Sequence, residues 1–236
     1  YTYTDVILSL PEEDYESFRD GVETIIQNGQ HNHIQFHNLS ILPNAEMGSK
    51  SYQDAYGMEL RPQRLLAIHD HLEDVEAEEI DEWLDIVVAT QSLPTADWQT
   101  AKAFTWMMDF LYFDRINQIS FLLLQRLTGL RVVDLVHSTF ADDLHEFSLL
   151  TKLKNIAFEH AVAIQQGGDE YIPSETWMGV YWPTNHFLRL TVDQDNDFPQ
   201  LWSELERLTT RYLQDHDADI ELTLLAEIFS LNRLLP

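Results

Sequence analysis

Within its first 42 residues the chain reads as strand, helix, strand, and that order restricts the fold more than any other feature of the sequence. The run Asp5-Val-Ile-Leu-Ser-Leu10 is short, β-branched and apolar at both parities, the pattern of a strand covered on both faces in a parallel sheet. Pro11 ends it. Pro11-Glu-Glu-Asp14 then places a proline and acids in the first turn of a helix, where a missing N–H costs nothing and the dipole favours negative charge. Tyr15, Phe18, Val22, Ile25 and Ile26 recur at helical spacing, and Gly29 is a C-terminal stop. Ile34-Gln-Phe-His-Asn-Leu-Ser-Ile-Leu42 alternates apolar and polar for most of its length as a second strand, closed by the turn Pro43-Asn44. Together these make one βαβ crossover, parallel and right-handed. One crossover cannot cover both faces of a sheet, so further strands are expected either later in the chain or in a part of the protein outside it.

Downstream the texture changes. From Ser49 it turns to Tyr, Gln, Arg and mixed charge, with a break at Arg61-Pro62 before Leu65-Leu-Ala-Ile68 and an acidic segment from Glu73 to Asp85. A long helix is expected from Pro94-Thr-Ala-Asp-Trp98, with Thr95 as N-cap, through Phe104, Met107, Met108, Leu111, Phe113, Ile116 and Ile119 towards Gly129. It is aromatic on more than one face, which implies deep burial. Further helices are expected at Val132 to Phe140, Asp143 to Gln165, Phe198 to Leu213 and Ile220 to Leu231. Trp177 to Trp182 and Phe187 to Val192 read as two strands of a hairpin around Pro183-Thr-Asn-His186. No long repeat or low-complexity tract interrupts the pattern.

At 236 residues with 44% hydrophobic side chains the chain can bury a sizeable core. Lys plus Arg is 14 against 40 for Asp plus Glu, and the resulting charge of −26 repels nucleic acid and anionic membrane surfaces. The same charge reads either as a solvated surface suited to salt and solubility or as an attraction for a basic partner or cationic substrate. There is no cysteine, so this polypeptide holds no disulfide, thiolate metal site, cysteine nucleophile or cysteine-ligated iron–sulfur cluster. The longest apolar run, around Phe121 to Leu124, is interrupted by Gln118, Gln125 and Arg126 well short of a membrane span. No signal-peptide pattern opens the chain, and the cytoplasm is the default expectation. Tyr1, already inside a β-like run, is how a chain looks when cut from something longer.

Two histidine clusters stand out, His31, His33 and His37, and His69 with Asp70 and His71. Neither has the spacing of a known metal site, and no metal is expected, although His33 and His37 share a strand parity and one ring is expected to aim into a cleft. Carboxylate pairs are too abundant to mark an acid/base couple. No Gly-x-Ser-x-Gly elbow, phosphate loop or dinucleotide fingerprint occurs, and Asn38-Leu39-Ser40 is an accidental sequon. The aromatic set Trp98, Phe104, Trp106, Phe110, Tyr112 and Phe113 reads as core rather than as a cofactor box, whereas Trp177, Tyr181 and Trp182 are harder to bury together and are candidates for a ligand or partner surface.

The stretch Thr4-Asp-Val-Ile-Leu-Ser-Leu-Pro-Glu-Glu-Asp-Tyr-Glu-Ser-Phe18 resembles the late strand-and-helix unit of radical S-adenosylmethionine enzymes, Asp-x-Ile-x-Gly-Leu-Pro-Gly-Glu-Thr followed by Tyr-Glu-Ser-Phe. Ile34 to Met47, Tyr52 to Gly57 and Ile86 to Trp98 are similar to the following segments of the cobalamin-binding branch, the last of them in its helical C-terminal region. Ser9 and Glu12 stand where that family usually has glycine. The resemblance implies α/β followed by mainly α: residues 1–60 as the last βα units of a partial (β/α) TIM-like barrel, and residues 61–236 as a mainly helical C-terminal domain with a short β-hairpin, capping the barrel mouth. It implies that Ile7, Ser9, His37 and Leu39 approach the adenosyl group or substrate near the C-terminal strand ends, Ser9 to Pro11 and Ile41 to Asn44. It leaves the catalytic residues unassigned. S-adenosylmethionine, a 4Fe-4S cluster and cobalamin are implied for the full-length enzyme, the cluster-binding cysteine loop and cobalamin domain preceding Tyr1. The implied partners are the N-terminal remainder of the same enzyme and a small-molecule or peptide substrate, the implied chemistry is methylation at an unactivated carbon or a related radical rearrangement, and the chain alone is expected to be inactive. The competing reading is a non-catalytic, acidic helical module that binds a protein partner.

Overall fold

A computed structural model describes residues 2–72, 82–141 and 144–234 of the chain. Strands β1 (Thr4–Leu8) and β2 (Ile34–Asn38) pair in parallel, Thr4 opposite Ile34 through Leu8 opposite Asn38, with helix α1 (Tyr15–Gln27) between them in sequence. Asp14 is the N-cap of α1: its carboxylate accepts from the Ser17 amide at 2.7 Å, and the Asp14 amide donates back to the Ser17 hydroxyl at 3.0 Å. Pro11 to Glu13 therefore lie in the preceding loop and not in the first helical turn. Phe18, Val22 and Ile26 form the buried stripe, and Gly29, with φ 98°, leaves the helix through the left-handed region.

The opening strand differs from the sequence expectation in length and in burial. It stops at Leu8 because Ser9 is left-handed, with φ 81°. Only one of its faces is covered: Val6 and Leu8, with Ile34 and Phe36 beside them, pack under α1, where the Phe18 and Phe36 rings lie 6.0 Å apart. Ile7, of the opposite parity, is 42% exposed, since helices cover one side of the pair alone. The second strand also breaks, at Leu39. The Leu39 amide donates to the Leu8 carbonyl at 3.1 Å, while the Leu39 carbonyl accepts from Val87 at 2.8 Å. Beyond this joint β3 (Ser40–Ile41) pairs antiparallel with β5 (Trp83–Ala89). Helix α2 (Lys50–Tyr56) leads into β4 (Glu59–Arg64), antiparallel on the other edge of β5. The sheets thus run β1-β2 and β3-β5-β4, joined through Leu39, and among the described residues they form no barrel. Ile86 to Ala89, placed by resemblance in a helical region, are the buried half of a central strand. The acidic segment from Glu73 lies outside the described residues as far as residue 81.

Helix α3 (Thr95–Met108) starts with Pro94 at the N-cap, so Thr95 is helical and supplies no cap. It does not continue to Gly129. A five-residue π-type turn, Asp109–Phe113, ends it, and after a short irregular link α4 (Gln118–Thr128) runs to left-handed Gly129. Next come α5 (Val132–His137) and α6 (Ser148–Gln165), the latter starting later than Asp143, which is itself outside the described residues. Strands β6 (Ile172–Ser174) and β7 (Val180–Trp182) make a hairpin, but Phe187 to Val192 are not its continuation: they belong to α7 (Thr184–Gln194). Pro183 sits at the helix N-cap, and Thr184, Leu188 and Val192, four residues apart, form one buried stripe, so helical spacing overrode the local alternation. Helices α8 (Phe198–Asp215) and α9 (Leu222–Leu234) close the chain. One apolar cluster extends from Leu8 and Ile34 through α3 to Phe229. Among the described residues no helix is long and apolar enough to cross a membrane.

Helices α4, α5 and α6 have no side-chain cap of their own. Each is capped from a distant helix. The Asn232 carbonyl oxygen accepts from Ile119 and Ser120 at 3.1 and 3.3 Å, Glu23 Oε2 from Val133 at 3.1 Å, and Glu204 Oε2 from Leu149 and Leu150 at 3.1 and 2.9 Å. The two glutamates are buried, so their loss strands helix amides without water. Glu204→Ala is expected to lower stability by about 2–4 kcal/mol, read as a drop in the urea midpoint. A loss below about 0.5 kcal/mol, the range of an ordinary surface substitution, would remove the cap from the structural account.

Candidate functional site

A cavity of about 400 Å³ opens beside the uncovered side of β2. One wall is β2 itself: His33, Gln35 and His37, which alternate along one strand face, line it. Its floor is the end of α3, with Lys102 and Trp106, and the first residue of the π-type turn, Asp109. Its far wall is the first turn of α7, Thr184 to His186, with Glu170 and Tyr171 from the loop before β6. The π-type turn brings Asp109 to this wall, where the Asp114 amide donates to the Asp109 carbonyl at 2.7 Å in the wider i to i+5 spacing.

The floor is unusual in charge. Lys102 is 2% exposed, and its Nζ lies 4.9 Å from the centre of the Trp106 ring. Among the described residues it has no hydrogen bond or ion pair. Burial lowers its pKa, opposed by the charges of Glu170 and Asp109. Among the described residues Asp109 Oδ1 is buried without a hydrogen-bond partner; burial raises that carboxyl well above the ordinary range, Asp114 adding to the shift and Lys102 opposing it. Trp106 is held from another side by His160, whose ring stacks on it at 5.1 Å and 17°. Burial pulls His160 down to about 4. Its Nε2 donates to the Asp169 carbonyl at 3.2 Å, which leaves Nδ1 to accept from the Thr184 hydroxyl at 2.7 Å. A neutral imidazole thus fixes α7 against α3. Asn185 donates to Asp114 at 3.1 Å and completes the wall.

The four residues singled out by sequence fall in two places. Ile7 and His37 are register partners on the open face of the parallel pair, and His37 Nε2 lies 3.1 Å from Asp5 Oδ1. Only His37 also lines the cavity. Ser9 and Leu39 sit at the strand ends: Leu39 packs with Ile41 and Val87, and Ser9 is fully buried with its hydroxyl unpartnered. Both side-chain polar atoms of Asn38, paired in register with Leu8, are likewise buried and without a partner among the described residues. Buried Asn38 cannot be a glycosylation acceptor. Ser9 and Glu12, which replace the family's glycines, have φ 81° and 69°. The backbone keeps the glycine conformation with side chains that strain it.

Among the described residues no group of three or more His, Asp or Glu is placed to hold a metal ion. His31 Nδ1 is 2.9 Å from the Tyr112 hydroxyl, and the His69 ring packs edge-on against Trp182 at 4.4 Å. The aromatic set is core except for Trp106, which lines the cavity. Tyr181 is buried, its hydroxyl accepting from Arg64 at 2.7 Å. Lys102, Asp109, Glu170 and His186 are cavity residues that the sequence reading missed. A single lysine inside Trp98-Gln-Thr-Ala-Lys-Ala-Phe-Thr-Trp-Met-Met108 was the available signal for the first of them.

The parallel crossover thus has a strand-to-helix turn with two left-handed non-glycine residues, Ser9 and Glu12, and a cavity along the open face of its second strand. By sequence, 112 residues, 48% of the chain, are 32% identical to the cobalamin-dependent radical SAM methyltransferase TokK of Streptomyces tokunonensis. A stretch of the same length is 33% identical to 2-(S-pantetheinyl)-carbapenam-3-carboxylate methyltransferase of Streptantibioticus cattleyicolor. The resemblance to the cobalamin-binding class of radical S-adenosylmethionine enzymes is thus borne out over 112 residues, about half of this chain. The match spans 16% of each relative's length. No family model matches.

Two outcomes follow from the strand-end turn. Ser9→Gly relieves a left-handed strain of about 1–2 kcal/mol against a backbone-entropy penalty of up to about 1 kcal/mol, so the variant is expected to melt no lower than the parent. A drop of several degrees would show that the hydroxyl has a partner. Glu13, half-buried behind the turn, is raised from 4.5 to about 7, chiefly by burial. The folded state therefore holds its proton more tightly, a contribution present below pH 4.5 and lost as pH rises through about 7. Glu13→Gln is expected to gain on the parent across that window and then level off at about 1 kcal/mol after solvent screening, measured by urea melts at pH 5 and pH 8. A constant difference would contradict the burial of this carboxyl.

Proposed function

We propose that this chain is the C-terminal portion of a cobalamin-dependent radical S-adenosylmethionine methyltransferase, with residues 1–60 contributing the last units of a partial (β/α) barrel and residues 61–236 a cap over its mouth. The observation that carries this reading is the 32–33% identity over 112 residues, and the left-handed Ser9 and Glu12 at the family's glycine positions support it. In this reading the face bearing Asp5, Ile7, Gln35 and His37 is the barrel interior, which accounts for an apolar Ile7 left 42% exposed by helices on the other side. Because the chain has no cysteine, the cluster is ligated by residues outside it, in an N-terminal remainder that also holds cobalamin.

The residues present fit one edge of an S-adenosylmethionine site. Ile7 and His37 offer an apolar surface and a hydrogen-bonding ring side by side, and the unpartnered Ser9 hydroxyl and Asn38 amide at the strand ends have free capacity for polar groups. Leu39, tied by hydrogen bonds to both sheets, holds the backbone there. When bound, S-adenosylmethionine and cobalamin supply the radical and the methyl group. The chain's own part is to orient the substrate between His37, Trp106 and α7 and to exclude water from it.

Calorimetry of the chain alone, and of the chain joined to its cysteine-bearing N-terminal segment, tests this. Binding of S-adenosylmethionine is expected only in the joined protein, weakened about tenfold or more by Ile7→Asp. A joined protein that binds neither S-adenosylmethionine nor cobalamin would point instead to an acidic protein-interaction module.

A further inference from the structure

We infer that the cavity floor is a carboxylate seat: Lys102, a buried ammonium with no hydrogen-bond partner among the described residues, receives a carboxylate on a small molecule whose ring or chain lies along Trp106. The inference rests, for the word substrate, on the reading that this cavity is where the substrate lies, but its physical basis is local. An ammonium taken out of water without a hydrogen-bonded anion is costly, and a fold tolerates that where a ligand supplies the partner. Lys102 sits on the floor of a cavity of about 400 Å³, 2% exposed, with its Nζ 4.9 Å from the centre of the Trp106 ring.

The negative groups near it do not meet the need. Asp109 forms no ion pair with Lys102 within 4 Å, burial favouring the protonated form of its carboxyl, and among the described residues Glu170 acts on Lys102 only at a distance. Asp109 lines the same cavity, and its Oδ1 has no hydrogen-bond partner among the described residues. An ammonium on the floor of a cavity is matched by a carboxylate, with which it makes a charge-assisted hydrogen bond. Trp106 supplies the flat apolar surface for the rest of the ligand, held rigid by the His160 stack. A single negative charge suits the site better than a phosphate dianion, because Glu170 lines the same cavity and the chain carries −26.

The test uses the full chain and four probes, benzoate, benzamide, benzylamine and inorganic phosphate, read by saturation-transfer NMR and calorimetry. Benzoate is expected to bind at least about fivefold more tightly than isosteric benzamide, and benzylamine not at all. Lys102→Met, which replaces the charge with an apolar side chain of similar length, should erase the benzoate preference, and Glu170→Gln should tighten benzoate by removing a competing charge. Equal affinity for benzoate and benzamide, no binding of either at tens of millimolar, or an unchanged preference in Lys102→Met would overturn the assignment. Tighter binding of phosphate than of benzoate would overturn the carboxylate in favour of a phosphate seat. Should Lys102→Met not fold, the benzoate-to-benzamide ratio in the parent and its change in Glu170→Gln decide the matter alone. None of these readouts requires methyl transfer, so a failed carboxylate seat and a failed methyltransferase reading are told apart.

Discussion

The helical part of this molecule depends on buried side chains that terminate helices to which they do not belong. A helix begins with amides that have no carbonyl to bond, and deep in a core no water is available to replace one. Glu204 on α8 answers the first amides of α6, Glu23 on α1 those of α5, and Asn232 on α9 those of α4. A buried carboxylate is costly by itself, but at a helix start its charge lies along the dipole and its oxygens are filled by donors. Gln125 and Gln27 donate to Glu23, and Gln200 to Glu204, so neither carboxylate is left with free valence. The caps act as cross-links: moving one helix strands the amides of another.

The site inherits its rigidity from this arrangement. Helix α6 packs along α3, and His160 on α6 fixes both Trp106 and Thr184. Glu204, far from the cavity, therefore positions one wall of it through the start of α6. The π-type turn serves the same end by a different route. One extra residue in the helical ladder rotates Asp109 to the cavity and sets Asp114 to receive Asn185, so the two halves of the wall meet without a charged pair between them. The parallel pair is tied in more lightly, through one residue: Leu39 turns its amide to Leu8 and its carbonyl to Val87.

What the sequence made legible was whatever local chemistry decides. The α1 stripe of Phe18, Val22 and Ile26 and its stop at Gly29 follow from spacing and from a residue without a Cβ. The resemblance at Thr4 to Phe18 went further, since the two glycine positions turned out to need left-handed backbone even with serine and glutamate in them. What was not legible depends on partners far along the chain. The alternation from Ile34 to Leu42 is continuous, and only β5, more than forty residues later, shows that the strand changes sheets at Leu39. Phe187-Leu-Arg-Leu-Thr-Val192 fits period two and also a four-residue repeat from Thr184, and burial against α6 and α8 chose the helix. The three trans caps leave no trace at the helices they serve. Lys102 was visible as a lone charge in an apolar run, but a lysine on the rim of a core and one at the floor of a cavity look the same until the turn at Asp109 and the start of α7 close around it.

The acidic composition and the buried lysine act at different ranges, and together they define what the cavity selects. A charge of −26 spread over the surface sets up a field that salt screens within a Debye length, about 8 Å under physiological conditions. That field slows the approach of every anion alike and holds multiply charged ones off most strongly. Inside, the Lys102 ammonium sits on the cavity floor, where low exposure weakens screening and the imidazole of His160 stacked on Trp106, its pKa pulled down to about 4, carries no charge at neutral pH. A small monoanion with an apolar body loses least in crossing the outer field and gains most from the inner cation, whereas a polyanion such as nucleic acid meets only the repulsive part. The arrangement discriminates by combining a long-range penalty that grows with charge with a contact that accommodates one charge.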